Sequence, residues 1–204
     1  MKRTVLTLLF VCCTVALSGQ ESFPVKYQGS RPTISDFAWS FLSNAIIEDE
    51  GMFDESTNAF KQAWIKYRKG LPQDEGDTLI VDQKNGYVVL ESRRDENLLR
   101  WEMCYWNEAN GKYKLIAYNV SCYNNGRYFP GQYDGLIFLR YDNAAKKMEW
   151  CENRVPEGIY DIVPSTWFSF DLPRTGKDLV ATWWYDDGKT MQKTLKWNGQ
   201  GFDL

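Results

Sequence analysis

The sequence predicts an α+β protein: two N-terminal helices packed on an antiparallel β-meander of about ten strands, as an open sheet, a sandwich or a partial barrel. Three observations predict it. Between residues 33 and 70, apolar side chains recur at three- and four-residue intervals. From Thr78 onward the period drops to two, in consecutive strand pairs. The gaps between pair members hold Asn-Gly, Asp-Gly or similar turn residues, which tolerate the positive φ of hairpin turns. At 204 residues, with 44% hydrophobic and 25% charged, the chain is long enough for one domain and short for two.

The N-terminus reads as an address. Lys2 and Arg3 precede an apolar run from Thr4 to Leu17, and Ala16 and Ser18 are small. That order predicts a signal peptide over residues 1–20, cut between Ser18 and Glu21. The run is short for a bilayer span. Cys12 follows Phe10 and Val11 rather than a small residue at the end of the run, which argues against lipidation. The expected product is exported, periplasmic or extracellular, soluble rather than lipid-anchored, with no membrane insertion after cleavage. Cleavage removes two bases and no acids, leaving 22 Lys+Arg against 27 Asp+Glu, a net charge of −5. Mild acidity argues against nucleic-acid binding, which needs concentrated basic residues.

Residues 21–32 hold Pro, Gly and Ser with little periodicity and read as a loose N-terminal arm; residues 33–204 read as one domain. Thr33 or Ser35 can cap the first helix, with Asp36 completing a capping box on Thr33. Phe37, Phe41 and Ala45, flanked by Trp39, Leu42 and Ile46, make its apolar stripe, and Glu48-Asp49-Glu50-Gly51 ends it. A second helix begins near Asp54 or Ser56. Its face is Phe60, Ala63, Trp64 and Tyr67, and Gly70 followed by Leu71-Pro72 stops it.

Four hairpins follow, with turns at 83–86, 107–112, 142–145 and 187–188, and a last short strand comes after 198–201. In the second hairpin, Asn107 opposite Lys112 sets Met103 against Ile116, Trp101 against Tyr118 and Leu99 against Val120, an all-apolar core face. Cys122 joins that face and Cys104 takes the other. In the fourth, a type I′ Asp187-Gly188 turn sets Asp186 opposite Lys189 and Trp184 opposite Met191 on the core face. It leaves Trp183 and Tyr185 among Thr and Gln outside, covered by the helices or binding something.

The chain has no His. That excludes Ser-His-Asp triads, Cys-His dyads and imidazole metal sites. Cys104, Cys122 and Cys151 remain after cleavage, an odd number with no C-x-x-C, so at most one bridge is expected. With Cys104 on the opposite face, Cys122–Cys151 is the candidate disulfide and Cys104 the spare thiol. No phosphate-binding loop, EF-hand or nucleophile elbow occurs, and neither cofactor nor metal is expected. Glu102, Glu108, Asp134, Glu152, Glu157 and Asp161 could supply a hydrolytic carboxylate pair, but no residue is assigned as catalytic.

Two loops exceed simple turns. Residues 123–135 have the Tyr, Asn, Gly and Arg content of an antibody combining site. Their Arg127, Tyr128, Phe129 and Tyr133 are the first candidate ligand contacts; Trp183 and Tyr185 are the second. Residues 153–166 form the other loop, read, like the first, as either functional or a packed crossover. Asn119-Val120-Ser121 fits an N-glycosylation sequon but falls mid-strand.

The strings GLPQDEGDTLIVDQKNGY, MCYWNEANGKYKLIAYNVSC, PGQYDG, LPRTGKDL and TLKWNGQGF resemble a group of exported proteins from anaerobic bacteria with no assigned activity. The resemblance implies a compartment and no site residue. Three readings stay open: a non-catalytic binding or interaction module for a glycan or a protein surface, a carboxylate-dependent exported hydrolase, and a structural envelope protein.

Overall fold

The computed structural model describes residues 22–44, 54–130, 135–163 and 167–204, without the side chains of 54–56. The expected signal peptide, Ala45, Ile46, the acidic run 48–51, Tyr133 and Asp134 lie outside what is described.

Half of the predicted capping box forms: Asp36 reaches back to Thr33, while the Asp36 N–H bonds to the Thr33 carbonyl and not to its hydroxyl. The backbone N–H and the hydroxyl of Thr33 both donate to Asp36 Oδ2, at 2.8 and 2.7 Å. Helix α1 (Ile34–Asn44) buries Ile34, Phe37, Ala38, Phe41 and Leu42. Helix α2 (Asp54–Arg68) buries Phe60, Ala63 and Trp64, whereas Tyr67 is exposed. Gly70 has φ +66°. Leu71 N–H bonds to Lys66 C=O at 3.0 Å and Gly70 N–H to Tyr67 C=O at 3.0 Å. This is the paired closure that a left-handed glycine allows at a helix end.

Twelve strands are described: β1 (Ser22–Pro24), β2 (Asp77–Asp82), β3 (Tyr87–Arg94), β4 (Asn97–Asn107), β5 (Tyr113–Asn124), β6 (Arg127–Tyr128), β7 (Gly135–Asp142), β8 (Lys147–Cys151), β9 (Trp167–Asp171), β10 (Leu179–Trp184), β11 (Thr190–Trp197) and β12 (Phe202–Asp203). They form two open antiparallel sheets. The larger runs β1-β8-β7-β5-β4-β3-β2 with β6 on the end of β5, and the smaller runs β12-β11-β10-β9. The start of the arm is tied down: Ser22–Pro24 pair with β8, and Phe23 and Val25 are buried beside α1, whereas residues 26–31 follow without helix or strand.

The larger sheet is buried on both faces. Trp101, Met103, Ile116, Tyr118 and Val120 meet the helices in one core. Cys104, Trp106, Leu115, Ala117 and Phe138, from the alternate positions, meet the small sheet in a second. The 153–163 connection drops Val155 and Ile159 into that second core. This part of it therefore behaves as a packed crossover. The small sheet meets the large one through β9, near β5 and β6, and Asn119 Nδ2 on β5 donates to Phe170 C=O on β9 at 2.9 Å.

Both registers differ from the sequence expectation. In β4–β5, Asn107 faces Lys114, Met103 faces Tyr118 and Trp101 faces Val120. Buried Glu108 anchors to Arg140 through two bonds of 2.8 and 2.7 Å, and Ala109 N–H bonds to Gly199 C=O at 2.8 Å. These contacts hold a loop over 108–113, and every partner moves by two positions. In β10–β11, Trp183 faces Met191 and Trp184 faces Thr190. The turn has three residues rather than two. Gly188 N–H bonds to Tyr185 C=O at 3.0 Å, Tyr185 N–H bonds to Lys189 C=O at 2.9 Å, and Gly188 holds φ +83°. That is a type I turn closed by a left-handed glycine bulge.

The Cys122–Cys151 bridge is not formed. Cys122 faces Leu99 on the helix side, and Cys151 faces Phe138 on the small-sheet side, so the sheet itself separates them. Cys104 is reduced, and its burial pushes the thiol well above its ordinary range.

Candidate functional site

Strand alternation decides what faces the space between the sheets. On β4 the residues pointing away from the helices are Leu98, Arg100, Glu102, Cys104 and Trp106. On β5 they are Leu115 through Tyr123 at every second position. At the Trp106 end these side chains are apolar and the sheets seal against each other. At the other end they turn polar, and a groove of about 400 Å³ opens. One wall is Glu91, Arg93, Leu98, Arg100 and Tyr123 from the large sheet. The other is Thr182, Trp184, Thr190 and Gln192 from β10 and β11, with Asp171 of β9 beside them.

The aromatic part of the groove is braced from behind. Trp184 Nε1 donates to Ser169 Oγ at 3.0 Å. Its ring lies 6.0 Å from Tyr123 and 6.2 Å from Tyr128, and those two rings are 5.8 Å apart. Gln192 Nε2 donates to Thr182 Oγ1 at 3.2 Å, and both Gln192 and Thr190 are otherwise exposed.

The charged part is a fan around Arg100. Its guanidinium lies 3.1 Å from Asp171 Oδ1, 3.1 Å from Glu102 Oε1 and 3.7 Å from Glu91 Oε1. Glu102 has no exposed surface. Tyr87 Oη donates to it at 2.6 Å and Asn119 Nδ2 at 3.2 Å. Burial pushes the Glu102 carboxyl above its usual range, and Arg100, Tyr87 and Asn119 pull it part of the way back. The Tyr87 hydroxyl rises too, from burial and from the Glu102 charge. A sealed carboxylate of this kind cannot touch a substrate in the groove. Among the described residues no group of three or more Cys, Asp or Glu is placed to hold a metal ion.

The structure scatters the residues singled out from the sequence. Arg127 does not reach outward: its guanidinium donates to Tyr185 C=O at 2.6 Å and Asp186 C=O at 3.3 Å, clasping the small sheet to β6. Tyr128 is buried as a plug under Trp184. Phe129 is 59% exposed and stands edge-on to Trp167 at 5.9 Å. Tyr185 is half-buried, its hydroxyl 3.9 Å from Met191 Sδ. Trp183 is fully buried in the second core, 6.0 Å from Phe168. Its expected outer position passes to Trp184 through the register change, and the helices cover the other face of the other sheet.

Trp184, Thr190, Gln192, Arg100, Asp171 and Tyr123 are the groove residues that sequence reasoning missed. The alternation Thr182, Trp184, Thr190, Gln192 becomes visible once a three-residue turn is assigned. Arg100 and Asp171 are 71 positions apart, and no local pattern joins them.

No family model matches the chain, and neither a curated protein nor a solved structure does. Among the described residues no helix is long and apolar enough to cross a membrane.

Proposed function

We propose that the chain is an exported, non-catalytic binding module whose inter-sheet groove takes a glycan. The observation that carries this reading is the pairing of surfaces in one groove. The Trp184 and Tyr123 rings stand beside the hydroxyls of Thr182 and Thr190, the Gln192 amide and the Asp171 carboxylate. A sugar has an apolar C–H face and a rim of hydroxyls, so it matches a flat ring next to short polar groups. Export rests on the N-terminal charge–apolar–small pattern. The carboxylate hydrolase draws less support. The acid with a raised pKa, Glu102, is sealed, and Glu91 and Asp171 both point at Arg100. A protein-surface ligand draws on the exposed Phe129–Trp167 pair and is the second reading.

The test is a glycan array with the processed protein, followed by calorimetry on the best hit. Gln192→Ala and Thr190→Ala alter exposed residues and should leave the melting temperature unchanged. Each should weaken binding by about fivefold, the value of one hydrogen bond. Trp184→Ala should weaken it further. An array hit whose affinity ignores all three substitutions would sink the groove reading.

A further inference from the structure

We propose that Glu102 is an acid-sensitive tie between the two sheets, and that protonating it releases Arg100 and loosens β9 and, through it, the small-sheet wall of the groove. The proposal rests on the groove reading above and adds its regulation.

Three donors of the large sheet converge on one buried carboxylate, and two of them also bond to the small sheet. Glu102 receives Tyr87 Oη at 2.6 Å, the Arg100 guanidinium at 3.1 Å and Asn119 Nδ2 at 3.2 Å. Two of these three donors also hold β9. Asn119 Nδ2 reaches Phe170 C=O at 2.9 Å, and Arg100 reaches Asp171 Oδ1 at 3.1 Å. Asp171 and Trp184 in turn line the groove. The ionised carboxylate therefore orients the side chains that seat the small sheet.

Among the described residues, Arg100 is the cation in contact with Glu102. Tyr87 and, beyond Arg100, Glu91 face Glu102 from β3. Arg100 and Cys104 flank it on β4, Asn119 and, farther along, Tyr123 stand on β5, and Asp171 comes from β9. The Arg100 charge lowers the proton affinity that burial raises. Separating Arg100 from Glu102 must then raise that affinity again, so proton uptake and Arg100 release favour each other. A neutral Glu102 leaves the guanidinium to Asp171 and Glu91. Because the folded-state value lies above the unfolded one, proton uptake at Glu102 favours the folded chain as the pH falls. The event is thus a rearrangement within the fold and not acid unfolding.

The test needs no ligand. In protein labelled with ¹⁵N-tryptophan, the Trp184 indole N–H, which donates to Ser169 on β9, is assigned with Trp184→Phe and followed from about pH 7.5 to about pH 4. The signal should titrate with a midpoint above the ordinary glutamate value of about 4.3. Glu102→Gln should abolish the titration. Tyr87→Phe keeps the ring, removes a donor that lowers the Glu102 pKa, and should move the midpoint up; it serves where Glu102→Gln does not fold. Asp171→Asn removes a charge that raises it and should move the midpoint down while the titration persists. A flat Trp184 signal, a titration that survives Glu102→Gln, a midpoint unmoved by Tyr87→Phe, or one abolished by Asp171→Asn overturns the tie. The two readings fail separately. A silent array with a titration that depends on Glu102 sinks the glycan alone, and a glycan hit that depends on Trp184 with a flat signal sinks the tie alone.

Discussion

The β4–β5 and β10–β11 hairpins respond differently to the same kind of error. Counting from turn residues misplaces the first register by two positions and the second by one. Side chains alternate faces with a period of two. The first displacement therefore changes every partner and no face: Trp101 and Met103 stay in the helix-side core. The second exchanges the faces, moving Trp183 into the second core and Trp184 to the groove. A register change of one residue thus separates two adjacent tryptophans, Trp183 in the core and Trp184 on the groove.

The sharpest way to break this comparison is to truncate each tryptophan. Trp183→Ala should cost about 3–5 kcal/mol, as a buried aromatic does. Trp184→Ala, half-buried and held by one hydrogen bond, should cost about 1–2 kcal/mol. Urea melts of both variants decide it, and equal losses would mean that the β10–β11 faces are misassigned.

A similar contrast holds within the 123–135 loop. Tyr128 is a buried plug and its neighbour Phe129 is exposed. Tyr128→Ala should cost about 3 kcal/mol, and Phe129→Ala less than about 1 kcal/mol, measured in the same melts. If Tyr128→Ala proves silent, the loop is freer than its ring contacts imply.

The turn itself can be edited. Deleting Asp187 leaves Asp186-Gly188 between Tyr185 and Lys189, a two-residue loop compatible with the existing pairs. The deletion should change stability by about 1 kcal/mol or less, with Trp183–Met191 cross-strand contacts retained in the NMR spectrum. Their loss would show that loop length sets this register; their retention assigns it to the core.

The smallest effect concerns the β2–β3 turn, where Asp82 accepts bonds from Asn85 and Arg174. Those bonds hold its carboxyl at about 2. A lowered folded-state value stabilises above the unfolded value and loses that contribution as the pH falls through the folded one. Asp82→Asn should therefore lower the melting temperature slightly at neutral pH, and the difference should shrink as the pH falls and vanish below about pH 2. A difference constant across that range would assign it to the lost Arg174 geometry rather than to charge.

Much of the fold is legible because its signals are local. The Thr33–Asp36 cap, the Gly70 stop, the switch of period at residue 78 and the turn tetrads each sit within a few residues of what they control. The helix faces were readable to the residue for Phe37, Phe41, Phe60 and Trp64, all fully or almost fully buried. The arm was not: three residues of edge strand carry no periodicity, and their partner in β8 lies more than a hundred positions away.

The candidate site was mostly illegible, for the same physical reason. By itself the sequence determined most of the elements, their antiparallel sense, the exclusion of histidine-dependent chemistry, and the expectation of one cysteine bridge at most. Alternation counted from a two-residue turn placed Trp183 outside, where the structure buries it and leaves Trp184 half-buried. The tertiary structure alone decided that the strands divide into two sheets, that the large sheet is buried on both faces, and that Cys122 and Cys151 are kept apart by it. It also decided that Arg100 and Asp171, 71 residues apart, close on each other at the mouth of a groove. Backbone propensity and alternation act over a few residues and are written in order along the chain. Register, sheet-on-sheet packing and ion pairing are settled by which buried surfaces fit together, and each such fit joins residues whose separation in sequence carries no information about their distance in space.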